Sequence, residues 1–233
     1  QSANEAPTKT VHSTLGWIDE NTYLSNNVYS KNEIQSEYIG KTDFTPKGSR
    51  EAYINLIKTN VLEYTPLLFV WLLGFASAIL SYLNQYLDIG CLLIGLNNLS
   101  SKGKTTAAML TTSVTSNPVF DRGLMTNFSG TSNAILGYVS LFNGHTVVLD
   151  EAATNEAKNT RKLLYQLCSG RERKRLDTSG ELKYTAEFSS IVLITGEFSI
   201  IDETASNGIR ARVFEITDDL TLSAEHSNII KQS

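Results

Sequence analysis

The sequence predicts an α/β protein: a P-loop NTPase with a three-layer core on a mainly parallel sheet, preceded by a small N-terminal segment and helices. Three observations predict the layered P-loop core. Short, continuously apolar runs at 89–95, 145–149, 190–195 and 212–216 alternate with stretches of helical character. Such runs are expected of strands covered on both faces by helices. The first run leads through Asn98-Leu99-Ser100-Ser101-Lys102-Gly103 into Lys104-Thr105-Thr106, which departs from G-x-x-x-x-G-K-[ST] only at the first glycine. The second run closes on Asp150-Glu151, the acids that a metal-bound triphosphate needs at a strand end.

Residues 1–48 are polar and rich in Asn, Ser and Thr, with brief apolar alternations at Leu15–Ile18 and Thr22–Leu24. They predict a segment of short strands and loops, set apart from a core spanning 49–233. From Ser49, a suitable cap, the spacing turns helical: Ala52, Tyr53, Leu56, Ile57, Val61 and Leu62 share a stripe and predict a helix over 49–62. A second helix is predicted over 66–84. Pro66 to Asn84 carries no charge and is nearly as long as a membrane span. It lacks flanking Lys or Arg anchors, however, and the strand feeding the phosphate loop follows almost at once, so a buried helix at the base of the core is expected and no membrane.

The strand at 89–95, the loop, and a helix from Lys104 follow in the order a phosphate loop requires. Thr131-Ser132-Asn133 caps a helix over 134–142, and Asn143-Gly144 turns the chain into the strand at 145–149.

A phosphate loop wraps backbone N–H groups around a β-phosphate, adds a lysine for the β- and γ-phosphates, and places a hydroxyl on Mg²⁺. Residues Asn98 to Thr106 supply these parts, with Gly103 for the turn, Lys104 for the charge and Thr105 for the hydroxyl. Asparagine tolerates a left-handed backbone, which is how Asn98 is expected to replace the glycine. Asp150 would then hold the metal and Glu151 would polarise the attacking water. Thr195, ending the third strand, would sit beside the γ-phosphate. The competing readings are a chance Gly-Lys-Thr turn, an Asp-Glu pair that merely caps a helix, and a turn at Thr195 with no such role.

Of the 20 Lys and Arg residues, eight fall between Lys158 and Lys183. Within that cluster, Lys174 to Tyr184 has the pattern of a hairpin around Ser179-Gly180, with Lys174, Arg175 and Lys183 as cations for nucleic-acid phosphates or simply for solvent. Arg210 and Arg212 precede the last strand, where an arginine can reach a neighbour's γ-phosphate in a ring or form surface ion pairs in a monomer.

A net charge of −4 excludes a globally basic surface, so any nucleic-acid contact must be local. Cys91 and Cys168 have neither disulfide-framework nor zinc-site spacing, and there is no signal-peptide pattern; a reducing, cytoplasmic setting is expected. His12, His145 and His226 form no ligand constellation. The start at Gln1 predicts a piece of a longer protein.

With these residues placed, the chain resembles the domain-of-unknown-function 927 family, helicase-like P-loop proteins of phages and mobile elements. The resemblance rests on Gly16-Trp17, Ser100 to Thr106, Thr131-Ser132-Asn133, Leu149-Asp150-Glu151, Leu164-Tyr165, Gly170, Lys174-Arg175 and Thr195-Gly196-Glu197. It implies an AAA+-like core related to superfamily 3 and minichromosome-maintenance helicases. It further implies ATP with Mg²⁺, DNA, single-stranded or forked, as partner, and a homo-hexamer working in mobile-element or phage replication. It assigns the hairpin cations Lys174, Arg175 and Lys183 to DNA, and prefers Arg212 over Arg210 as the finger acting in trans, because Ala211-Arg212-Val213 is similar to the Ala-Arg-Phe of viral relatives. Two positions depart from the family: Asn98 replaces the loop glycine, and Gly137 stands near a common glutamate. Either departure fits slow hydrolysis. The alternative from another class is a nucleotide-gated DNA-binding or scaffold module with negligible turnover.

Overall fold

The computed structural model describes residues 10–152, 157–171, 187–201 and 207–232. Five short strands come first: β1 (Val11–His12), β2 (Gly16–Asp19), β3 (Thr22–Leu24), β4 (Val28–Ser30) and β5 (Glu37–Tyr38). Two helices follow, α1 (Arg50–Asn60) and α2 (Thr65–Leu87). The core then alternates: β6 (Leu92–Asn97), α3 (Lys104–Thr112), β7 (Met125–Asn127), α4 (Ser132–Leu141), β8 (Val147–Asp150), α5 (Ala157–Ser169), β9 (Ile191–Gly196), α6 (Asn207–Arg210), β10 (Val213–Ile216) and α7 (Ala224–Gln232).

The core strands form one parallel sheet in the order β10-β6-β9-β8-β7. Its two faces can be told apart residue by residue. Val147, Leu149, Val192 and Ile194 join one apolar cluster with Phe128, Leu163 and Leu167, while Val148, Ile191 and Leu193 join another with Leu67, Val70 and Ala107. Side chains alternate across a strand, so two clusters on alternate residues mean helices on both faces, the three-layer α/β arrangement expected. In register, Leu92 to Asn97 faces Ile191 to Gly196, and Met125 to Asn127 faces Val148 to Asp150. The carboxyl ends of β6, β8 and β9 therefore share one edge, where open α/β sheets bind ligands.

Two features differ from expectation. Strand β7 has no apolar-run signal, because Met-Thr-Asn is a three-residue edge strand whose end is exposed. Helix α2 runs longer than 66–84 and is buried on one side only. Leu67, Val70, Leu73, Gly74, Ser77 and Ser81 face the core, while Phe69, Leu72, Phe75, Ile79, Leu83 and Tyr86 are exposed. By length and composition this helix could cross a membrane, and 33% of its most apolar stretch is buried.

Its inner face is fastened by polar contacts as well as packing. The Ser77 hydroxyl accepts from Ile191 N–H at 2.9 Å, and the Thr146 hydroxyl donates to Leu73 O at 2.6 Å. Gly74 lets it cross α3 closely: a Cβ there would lie 2.6 Å from Thr111 O.

The N-terminal strands dock at the opposite edge, near the amino ends of the core strands. Trp17 Nε1 donates to Ala78 O at 2.9 Å, and the Tyr23 hydroxyl donates to Gly144 O at 3.0 Å. His145, buried between them, stacks on the Tyr23 ring at 5.6 Å and meets Ser25 Oγ at 3.1 Å. Burial pushes its pKa down to about 4.

Candidate functional site

The phosphate-loop sequence occupies the turn between β6 and α3. Gly103 has φ 86° and is the N-terminal cap of α3, and Ser101 has φ 66°. Asn98 is not among the residues with positive φ, so the expectation of a left-handed asparagine is corrected. Its side chain does the work instead: Nδ2 donates to Thr217 O and to Asp219 Oδ1, both at 2.9 Å, and Oδ1 accepts from Leu99 N–H at 2.7 Å. Hydrogen bonds thus hold a corner where a glycine would simply bend.

Lys104 begins α3 and folds back over the loop, its ammonium donating to Asn98 O and, at 2.8 Å, to Leu99 O. A cation within the loop, at the positive end of a helix, makes this turn attractive to an anion. Thr105 lies in the first turn of the same helix. Thr106 is buried, its hydroxyl 2.6 Å from Ser227 Oγ of α7.

Across the same edge, β8 delivers Asp150 and β9 delivers Thr195. Asp150 is buried and accepts a hydrogen bond from the Thr195 hydroxyl. Glu151 N–H donates to that hydroxyl at 3.1 Å, so Thr195 links the Asp150 carboxylate to the Glu151 backbone. Glu151 has φ 63°, a left-handed backbone that a glutamate adopts only under constraint, and such residues concentrate at functional sites.

Several members of this edge carry no signal in the sequence. Asn97, at the end of β6, is buried; its Nδ2 donates to Glu215 Oε1 at 2.5 Å, and its Oδ1 is the only buried side-chain polar atom among the described residues without a partner. Glu215 also accepts from Ser199 Oγ at 2.8 Å and from Ile200 N–H at 2.8 Å, tying the segment after β9 to β10. Asp219 accepts from Lys102 Nζ at 2.7 Å, and that ammonium is the first cause holding its carboxyl below the usual range. The acids Asp218-Asp219 after the last strand were the available clue, but only the strand order places them beside the loop.

The remaining expected residues lie elsewhere. Arg212 sits at the amino end of β10, its carbonyl accepting from Leu93 N–H at 3.0 Å, and is exposed. Arg210 ends α6. From Leu93 to Asn97, β6 rises about 13 Å, so Arg212 and the phosphate loop stand at opposite edges of the sheet. Arg171 pairs with Asp88 at 2.9 Å and Glu187 at 3.3 Å. Lys174, Arg175 and Lys183 lie outside the described residues. No cluster of three or more His, Cys, Asp or Glu able to hold a metal occurs among the described residues.

The family described as Domain of unknown function (DUF927) matches residues 1–187. A solved structure titled "SCCmec type IV Cch - active helicase" superimposes with a TM-score of 0.82 at 25% identity, covering 98% of this chain and 44% of that one. This chain thus spans less than half of that protein's length. No curated protein matches.

Proposed function

The chain belongs to the family of Domain of unknown function (DUF927), and on that premise we propose that it is the ATP-hydrolysing motor domain of a DNA helicase serving a mobile element or phage. One observation carries the reading: the Asn98–Thr106 loop and the Asp150–Thr195–Glu151 cluster meet at the carboxyl edge of one parallel sheet. Likeness to a structure titled as an active helicase supports it. A metal held by one hydroxyl, one carboxylate, phosphates and water needs no protein cage of three acids. The orphan acceptor Asn97 Oδ1 suits a site that must also receive water, which presents hydrogens.

In this reading Thr105 and Asp150 would hold Mg²⁺, which would screen the phosphate charge. Lys104 exchanges the carbonyls of Asn98 and Leu99 for phosphate oxygens. Backbone N–H groups from Ser100 to Thr106 wrap the anion, while that of Leu99 stays on Asn98 Oδ1. Glu151 accepts a proton from the attacking water as its oxygen bonds to the γ-phosphorus and the β–γ bridging oxygen leaves with ADP. Thr195 positions both acids. Arg212, at the far edge, cannot serve its own loop and acts in a neighbour's site, which requires a second subunit; a homo-hexamer fits the resemblance. Lys174, Arg175 and Lys183 grip DNA phosphates.

The test is MgATP turnover by the protein and by Glu151→Gln. Removing the base is expected to lower kcat by 10² or more while nucleotide binding persists. Equal turnover in both proteins would remove Glu151 from the chemistry.

A further inference from the structure

The first glycine of a phosphate loop lets the chain leave its strand and wrap the anion. Here that position is Asn98, and three points of the loop are laced to one segment, the exit from β10. Asn98 Nδ2 bonds Thr217 O and Asp219 Oδ1, each at 2.9 Å. Lys102 Nζ bonds Asp219 Oδ2 at 2.7 Å, while Lys102 O accepts from Leu220 N–H at 2.8 Å. A Cβ on Gly103 would meet Thr221 Oγ1 at 2.5 Å, so that glycine is needed for this packing as well as for its φ of 86°. The segment is fixed from behind, the Tyr64 hydroxyl donating to Asp219 O at 2.5 Å.

A bare carboxylate beside a triphosphate site would repel the ligand. Asp219 is tolerable there because each oxygen is engaged by the loop itself, one by the Asn98 amide and the other by the Lys102 ammonium. Removing it would release the Lys102 ammonium and leave Asn98 held to that segment by Thr217 O alone.

We propose that Asp219 is a positioning residue of the phosphate loop: with Asn98 it replaces the missing glycine, making the loop's binding shape depend on the segment that leaves β10. This rests on reading Asn98–Thr106 as a nucleotide site. Strand β10 also begins next to Arg212, so the element that would touch a neighbouring subunit ends at the clamp on this subunit's own loop.

The test is a double-mutant cycle on MgADP affinity, measured by calorimetry with Asp219→Ala, Asn98→Gly and the double variant, and thermal unfolding run alongside. Asp219→Ala is expected to weaken MgADP about tenfold, to raise the KM for ATP by a similar factor with kcat within about twofold, and to leave the Tm nearly unchanged. In the Asn98→Gly background the same substitution is expected to cost less than twofold, because a glycine needs no clamp. Asp219→Asn, which keeps an acceptor for Asn98, is expected to recover part of the affinity, and it serves as the probe if the alanine variant unfolds. An equal loss from Asp219→Ala in both backgrounds, or no loss in either, overturns the clamp while leaving the nucleotide site intact. Failure of the unaltered protein to bind MgADP overturns the nucleotide reading, and the clamp with it.

Discussion

Glu151 combines a proposed catalytic carboxylate with a backbone that glutamate disfavours, φ 63°. A glycine there would lose the left-handed strain, worth roughly 1 kcal/mol. Glu151→Gly is therefore expected to be at least as stable as the parent in urea unfolding while losing hydrolysis, and a clear loss of stability would show that the glutamate side chain supports the fold. The placement of Lys104, Thr105, Asp150 and Glu151 at or beyond strand ends was legible in the sequence, because each stands at a fixed spacing from an apolar run. Asn97, Glu215 and Asp219 were not, since each acts through a partner more than 100 residues away. At Asn98 the sequence shows the departure from glycine but not its remedy: side-chain bonds, rather than backbone freedom, hold the loop.

Strands β6, β8 and β9 were legible as apolar runs because both of their faces are covered. The edge strand β7 was hidden, and the one-sided burial of α2 could not be read from a segment apolar all round. Two glycines separate packing from propensity. In α2, a Cβ at Gly74 would lie 2.6 Å from Thr111 O, whereas in α4 Gly137 has nothing within 4 Å of its Cβ position. Gly74→Ala is expected to destabilise by about 1–3 kcal/mol through forced separation of α2 and α3, and Gly137→Ala to stabilise by about 0.5–1 kcal/mol through helix propensity. Thermal unfolding of the two variants checks both signs.

The docking of the N-terminal strands on the core carries a pH dependence through His145. Its folded pKa of about 4 lies below the ordinary 6.5, so between these values the unfolded chain binds a proton that the folded chain does not. The contribution is fully present above pH 6.5 and is lost as pH falls towards 4, amounting to about 2 kcal/mol between pH 7 and pH 5. Urea unfolding at those two pH values should show a smaller difference in His145→Gln; an identical difference would mean that His145 is protonated in the folded protein.

At the scale of the whole molecule, the sheet separates two ends: the residues proposed to handle nucleotide at the carboxyl edge, and Arg212 with the N-terminal strands at the amino edge. In the proposed motor, Arg212 would act in a neighbour's site, since it stands too far from its own loop. A nucleotide-gated scaffold would share the phosphate loop and its clamp, and would differ in having no turnover coupled to DNA. The parallel direction that creates the two ends was legible in the sequence, but the order of the strands was not, since the strand runs alone allow several orders for the same chain.

The most direct measurement is steady-state MgATP hydrolysis with and without single-stranded DNA, using Glu151→Gln as the reference. A motor predicts turnover that DNA raises severalfold and that disappears in the variant; tight nucleotide binding with no turnover, with or without DNA, would contradict it.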